Sequence, residues 1–185
     1  MEKATSVFRK IIGYDSKIYN TLSLHLNGGR VLSVGCGEGR MERALQDKIG
    51  IKIEGVEVTR YKKTHIPVKL YDGKTLPVKD KAFDSTIFVY MLHHSNNMEE
   101  LLSDAVRVTK NSIFIFDHVY EDSVSKSLLK AYDYTVNFLY NMPIPFNFLK
   151  SREWGQLFRK LNLSVEEASV VSPLNVFFKL GVGKG

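Results

Sequence analysis

The stretch Val31-Leu32-Ser33-Val34-Gly35-Cys36-Gly37-Glu38-Gly39 decides the fold. A short apolar run ends in glycines at alternate positions. From Glu38 onward a helix is expected, carrying Met41, Ala44 and Leu45 on one face and stopping at Gly50. In such a strand, turn and helix the missing side chains let the backbone approach a ligand, and the helix N-terminus offers unpaired N–H groups. The spacing is GxGxG. Position 40 is Arg, so the GxGxxG of dinucleotide binding is not met, and the Lys-Ser/Thr ending of a phosphate loop is missing.

Working outward, apolar runs rich in β-branched and aromatic residues recur at Arg30–Val34, Ile51–Val58, Pro67–Tyr71, Phe83–Leu92 and Ser112–Val119, with helical or loop stretches between them. That alternation predicts a mainly parallel α/β sheet. A second crossover helix is expected from Asn97, capped by its side chain with Glu100 reaching back, and burying Leu101, Leu102, Ala105, Val106 and Val108. The end breaks the alternation. Leu163–Val171 and Asn175–Val182 are strand-like and joined only by Ser172-Pro173-Leu174, which makes an antiparallel hairpin.

At 185 residues and 44% hydrophobic content, one domain spanning 1–185 is expected. It carries N-terminal helices within 1–27 and a helical insertion at 121–148. In the insertion Val124, Leu128, Tyr132, Val136 and Leu139 form one stripe, while Asp133, Asn137 and Tyr140 form another. Met142-Pro143-Ile144-Pro145 ends that helix. No apolar run is long enough to span a bilayer and the N-terminus does not resemble a secretory signal, so a soluble, cytoplasmic protein without a membrane partner is expected. The one cysteine, Cys36, excludes an internal disulfide and a multi-cysteine zinc site. The net charge of +6 is concentrated in residues 60–81, where Arg60, Lys62, Lys63, Lys69, Lys74, Lys79 and Lys81 face Asp72 and Asp80. Such a segment suits nucleic acid or an anionic substrate, although a solvated rim of lysines is the commoner meaning.

Glu57 closes the second strand, where a carboxylate can accept both hydroxyls of a ribose. In Tyr71-Asp72-Gly73-Lys74-Thr75-Leu76-Pro77, Asp72 can take an adenine amino group and Gly73 can face the ring. The order GCGEG, GVEV, YDGKTLP, FDSTIFVYMLHH, RVTK and the strand from Ile113 to Asp117 resembles the methyltransferase type 11 family over residues 30–182. Leu70–Gly73, Leu92-His93-His94, Asp117-His118 and Pro145–Phe148 with Trp154 are similar to an uncharacterised microbial subgroup of it.

The resemblance implies a Rossmann-like class I methyltransferase fold, a mainly parallel seven-stranded sheet with a C-terminal antiparallel hairpin and helices on both faces. It further implies S-adenosyl-L-methionine as cofactor, held by Ser33, Gly35, Cys36, Gly37, Glu57, Val58, Asp72, Gly73 and Tyr90. Ser33 stands where the family has Asp or Glu, and Lys110-Asn111-Ser112 replaces a KPGG turn, a change expected to reshape a loop. Tyr14 and Tyr19 precede the first strand, where N-terminal helices of this fold often cover the cofactor.

Methyl transfer is an in-line displacement, so the protein contributes mainly alignment and, where needed, removal of an acceptor proton. His94, His118 and Asp133 are the candidate catalytic residues. His94 follows the fourth strand beside His93, His118 closes the fifth next to Asp117, and the pair Asp133 and Asn137 is expected to meet them. Each of these histidines can equally serve as a structural hydrogen-bonding group. No HExxH or comparable spacing is present, and no metal is assigned. The implied function is methylation of a small molecule at O, N or C. The alternatives are an RNA or protein acceptor using the 60–81 segment, or a non-catalytic S-adenosylmethionine-binding module.

Overall fold

In the computed structural model, which describes residues 14–138 and 145–183, seven strands form one sheet. They are β1 (Arg30–Val34), β2 (Lys52–Glu57), β3 (Val68–Leu70), β4 (Phe83–Val89), β5 (Thr109–His118), β6 (Ser164–Ser172) and β7 (Asn175–Gly181). The helices are α1 (Tyr14–His25), α2 (Arg40–Ile49), α3 (Met98–Val108), α4 (Ser123–Phe138) and α5 (Ser151–Lys160). The sheet order is β3-β2-β1-β4-β5-β7-β6. Pairing is parallel from β3 through β5, and β7 runs antiparallel to both β5 and β6. The expected fold class is therefore found, down to the reversed last strand.

Two apolar layers sandwich the sheet because its strands alternate. Leu32 and Val34 of β1, with Ile113 and Ile115 of β5, point to the side covered by α3 and α5. Val31, Phe114 and Phe116 point to the side holding Ile18 and Leu22 of α1 and Leu45 of α2. On the first side Leu101, Leu102, Ala105 and Val108 of α3 are buried, each leucine contributing roughly 1.5–3 kcal/mol of transfer free energy. Trp154 and Phe158 of α5 pack on Phe178 of β7, with ring centroids 5.6 and 4.9 Å away.

Several local expectations are corrected. Asn97 makes no side-chain cap on α3; its N–H donates instead to Ser95 Oγ at 3.2 Å. Lys110-Asn111-Ser112 does not form a loop, because β5 begins at Thr109 and absorbs it, with a register shift between Phe83 and Ser85 of β4 taking up the difference. On α4, Val124 and Leu128 face solvent, and Leu129 and Asp133 are the buried positions. The predicted Val136 and Asn137 side chains, Leu139, Tyr140 and Met142 to Ile144 lie outside what the structure describes, as do the side chain of Tyr14 and residues before it. Among the described residues no helix is long and apolar enough to cross a membrane.

What positions the site is the switch in strand order. The chain leaves β1 toward β2 and β3, then returns to place β4 on the other flank of β1, so a crevice opens at the carboxyl ends of β1 and β4. The backbone there is held by glycines at positive φ: 70° at Gly35, 57° at Gly37 and 74° at Gly39. A Cβ on Gly39 would run into Ile66, whereas Gly50, also at positive φ, has nothing within 4 Å. Gly39→Ala is thus expected to cost about 2–4 kcal/mol, clash added to backbone strain, and Gly50→Ala only about 1–2. Urea titrations of the two variants measure the contrast, and equal losses would contradict it.

Candidate active site

At the crevice the glycine turn is packed from below and open from above. Gly35 rests on Met91, whose side-chain atoms would lie 3.0 Å from an added Cβ, and Gly55 of β2 leaves room for the Cys36 thiol. Gly37 differs: the nearest atom to a Cβ there would be the Tyr61 hydroxyl at 3.8 Å. At Gly37 the turn therefore leaves the most room for a ligand to approach its backbone.

Two carboxylates flank the turn. Glu57, at the end of β2, accepts the N–H groups of Gly37 and Val58 at 2.8 Å and of Thr59 at 3.3 Å. Those bonds shape the turn and use three of the roughly four acceptor positions of a carboxylate, leaving one toward a ligand hydroxyl. The second carboxylate is Glu42 of α2, which accepts the Ser33 hydroxyl at 2.7 Å in a buried contact. Burial raises its pKa, the Ser33 hydrogen bond opposes that, and the field of Glu57 adds to it. Glu42 was not among the residues read from the sequence. Its signal was its position three residues before the buried Leu45, on the face of α2 that meets the sheet. Burial, then Glu42 and Glu57 together, push the Cys36 thiol up to about 12, so Cys36 is protonated at neutral pH and serves as packing.

Beyond β3, Asp72 Oδ1 accepts the N–H groups of Lys74 and Thr75, both at 2.9 Å, which holds its carboxyl below the ordinary range. Gly73, at φ 80°, lies beside Val58, which is 57% exposed and forms an apolar ledge. Tyr90 follows β4 at φ 51°, with its N–H on Phe116 O and its ring 5.1 Å from that of His118. Tyr19 does not reach this region: its hydroxyl donates to Ala44 O, and Lys48 sits over its ring.

The chain past Tyr90 makes the 3-10 turn Leu92–His94, and with it a buried polar cluster. His93 Nδ1–H donates to Asp117 Oδ1 at 2.5 Å, while its Nε2 lies 3.6 Å from Asp133 Oδ1. His94 Nε2 is 3.9 Å from the same oxygen. Asp117 ends β5 fully buried and also accepts Leu92 N–H at 3.0 Å and His118 N–H at 2.7 Å. Burial disfavours a charged His93, but the attraction and hydrogen bonding of Asp117, reinforced by Asp133, outweigh it and raise the ring to about 9. His118 is lowered, first by burial and then by the nearby His93. Its Nδ1 donates to Asn175 Oδ1 at 2.6 Å, which leaves Nε2 as an acceptor. The hairpin causes this, since His118 and Asn175 are partners in the β5–β7 register.

Sequence reasoning placed His94, His118 and Asp133 together, and the structure does so through His93, whose ring centroid is 4.0 Å from His94 and 4.7 Å from His118. Asp133 meets His93 and His94. Asn147 and Phe148 close over them: Asn147 N–H donates to His93 O, Asn147 Nδ2 to Ser95 O, and Phe148 stacks on His93 at 5.3 Å. Trp154 Nε1 donates to His118 O at 3.4 Å. The basic residues of the segment are exposed, Lys81 while also donating to Val106 O and Thr109 O.

An open α/β sheet with a glycine turn and acid-bearing loops at its switch point is the architecture of class I, S-adenosylmethionine-dependent methyltransferases. A family model described as a methyltransferase domain matches residues 7–168, and the chain belongs to that family. An uncharacterized protein of Methanocaldococcus jannaschii is 33% identical over 97 residues, covering 52% of this chain and 47% of its own length. The chain spans less than half the length of the curated relatives it matches. A solved protein from Pyrococcus horikoshii superposes with TM-score 0.71 at 18% identity, over 91% of both chains. A SAM dependent methyltransferase from Aquifex aeolicus superposes with TM-score 0.62 at 16% identity, over 83% of this chain and 82% of that one. At these identities the likeness is one of fold.

Proposed function

We propose that this chain transfers the methyl group of S-adenosylmethionine to a small-molecule acceptor bearing an ionisable O–H or N–H. One observation carries the reading. The turn that holds His93 and His94 begins at Met91, and Met91 is the floor on which Gly35 of the cofactor turn rests. The polar cluster is therefore joined directly to the turn that this reading gives to the cofactor. Asp72 and the Val58–Gly73 ledge take the adenine, Glu57 the ribose, and the Gly35–Gly37 backbone the methionine end, with Cys36 and Tyr90 walling the pocket. Asp133 and His94 face the acceptor and remove its proton, and His118 offers Nε2 to orient it. His93 is a positioning residue that fixes Asp133.

In this reading the Ser33–Glu42 pair does the work of the missing acid, with Glu42 as charge partner of the cofactor ammonium. Titration calorimetry with S-adenosylmethionine and S-adenosylhomocysteine tests it. Both should bind, and failure of both sinks the function. Glu42→Gln is expected to weaken S-adenosylmethionine by roughly 10- to 100-fold, the worth of one charged hydrogen bond. Wild-type affinity should also fall as the pH drops through the raised Glu42 pKa, because the neutral acid no longer attracts the ammonium. Unchanged affinity in the variant would remove Glu42 from the site.

A nucleic-acid or protein acceptor is the second reading, favoured by the exposure of Arg60, Lys62, Lys63, Lys69 and Lys74 close to the adenosine side. Salt-sensitive retention of RNA would support it.

A further inference from the structure

The polar cluster has a property that proton transfer alone does not use. One ligand atom each from His93, His94 and Asp133 lies within 4.8 Å of the other two, at a place where His93 and Asp133 are buried and His94 is the more open corner, 19% exposed. We propose that His93 Nε2, His94 Nε2 and Asp133 Oδ1 bind a divalent transition-metal ion of the zinc class, with a coordination position left for an acceptor oxygen.

The donor set is the first argument. Two imidazoles and one carboxylate suit borderline ions such as Zn²⁺, Co²⁺ or Fe²⁺ and are a poor set for Mg²⁺ or Ca²⁺, which prefer all-oxygen shells. The second is Asp117. A histidine that ligates through Nε2 needs its Nδ1–H held by an acceptor so that ring and tautomer are fixed, and Asp117 Oδ1 does this from 2.5 Å. Asp117 is itself locked by the Leu92 and His118 N–H groups, so the ring it holds is rigid before any ion arrives.

Charge is the third argument. His93 stands between two carboxylates, and a dication in place of its Nε2 proton, which leaves to solvent, compensates both. Distance sets what must move. Bonds of about 2.1 Å place neighbouring ligand atoms roughly 3.0–3.4 Å apart, so the 3.6 and 3.9 Å separations to Asp133 must shorten and the two ring nitrogens, within 4.8 Å of each other, must draw together as well. His94, at the open edge of the cluster and 19% exposed, is the ligand that would have to turn inward.

With the ion bound, His94 and Asp133 would act as its ligands instead of as the base: the ion would lower the pKa of a hydroxyl bound to it, whose proton would leave to solvent, and so supply the acceptor as an oxyanion. That last step rests on the methyltransferase reading; ion binding does not.

Cobalt titration of the chelator-treated 185-residue chain tests the site. Wild type should show saturable visible d–d absorption at one equivalent, displaced by Zn²⁺. His94→Gln, in which the least buried ligand is lost and circular dichroism should be retained, is expected to abolish the absorption. Asp117→Asn should weaken cobalt by about 10- to 100-fold. Absence of saturable cobalt binding overturns the proposal, and so does absorption that persists in both His94→Gln and Asp133→Asn. Calorimetry with S-adenosylmethionine on the same sample separates the two readings: cofactor binding without cobalt binding overturns the ion site alone, and loss of both overturns the methyltransferase reading as well.

Discussion

Alanine in place of Asp117 is expected to lower the unfolding free energy by about 3–5 kcal/mol, the cost of removing one partner from a buried ion pair. The loss exceeds that of one contact because Asp117 gathers the His93 ring, the Leu92 N–H and the His118 N–H at the end of β5. Truncation leaves a buried cationic ring facing Asp133 only and two amides without acceptor. Urea denaturation at neutral pH measures it, and a loss below about 1 kcal/mol would show that the pair does not hold the site.

The same pair sets a pH dependence. His93 rises from 6.5 to about 9 on folding, so its contribution is complete below about pH 6.5 and is lost as the pH rises through 9. Burial raises the Asp117 carboxyl, but His93 and the other neighbours outweigh that and hold it below 3.8, so its contribution is present above that value and fades as the pH falls through the folded pKa. The urea midpoint of the wild type should therefore decline between about pH 6.5 and 9.5. Asp117→Ala should flatten that decline.

The second large effect is catalytic. Asp133→Asn keeps the shape of the side chain but removes the charge that faces both His93 Nε2 and His94 Nε2. Once an acceptor is known, kcat should fall by roughly 10²- to 10⁴-fold, as for loss of a general base or its direct support. S-adenosylmethionine affinity should stay within about twofold, since the proposed function gives Asp133 no cofactor contact. A variant that loses cofactor affinity and leaves kcat intact would move Asp133 out of the acceptor site.

The sheet was readable from the sequence because its strands are short runs of β-branched and aromatic residues, and because three residues between the last two runs permit only a hairpin. The insertion helix was legible as a helix but not in its orientation. Leu128 and Leu129 are adjacent, so two apolar stripes compete in the pattern, and α4 buries the one bearing Asp133 because it packs on a polar turn. Glu42 escaped notice for a similar reason: an acid in the first turn of a helix usually faces water, and only the fold puts this one against Ser33. The choice between His93 and His94 also lay beyond the pattern. Consecutive residues of a 3-10 turn point in different directions, and it is the end of β5 that decides which ring is gripped.

The reversed last strand also dictates the order in which the molecule can be completed during synthesis. In the sheet β7 lies between β5 and β6, yet it is the last of the seven described strands to be made. Until it emerges, β5 presents an open edge carrying Ile113, Phe114, Ile115 and Phe116, and β6 has no neighbour to pair with. The nascent chain is most exposed to misassociation at this point, and the hairpin must dock as a unit. Docking brings Asn175 against His118 in the same event, so the ring acquires its fixed tautomer only when the edge is sealed.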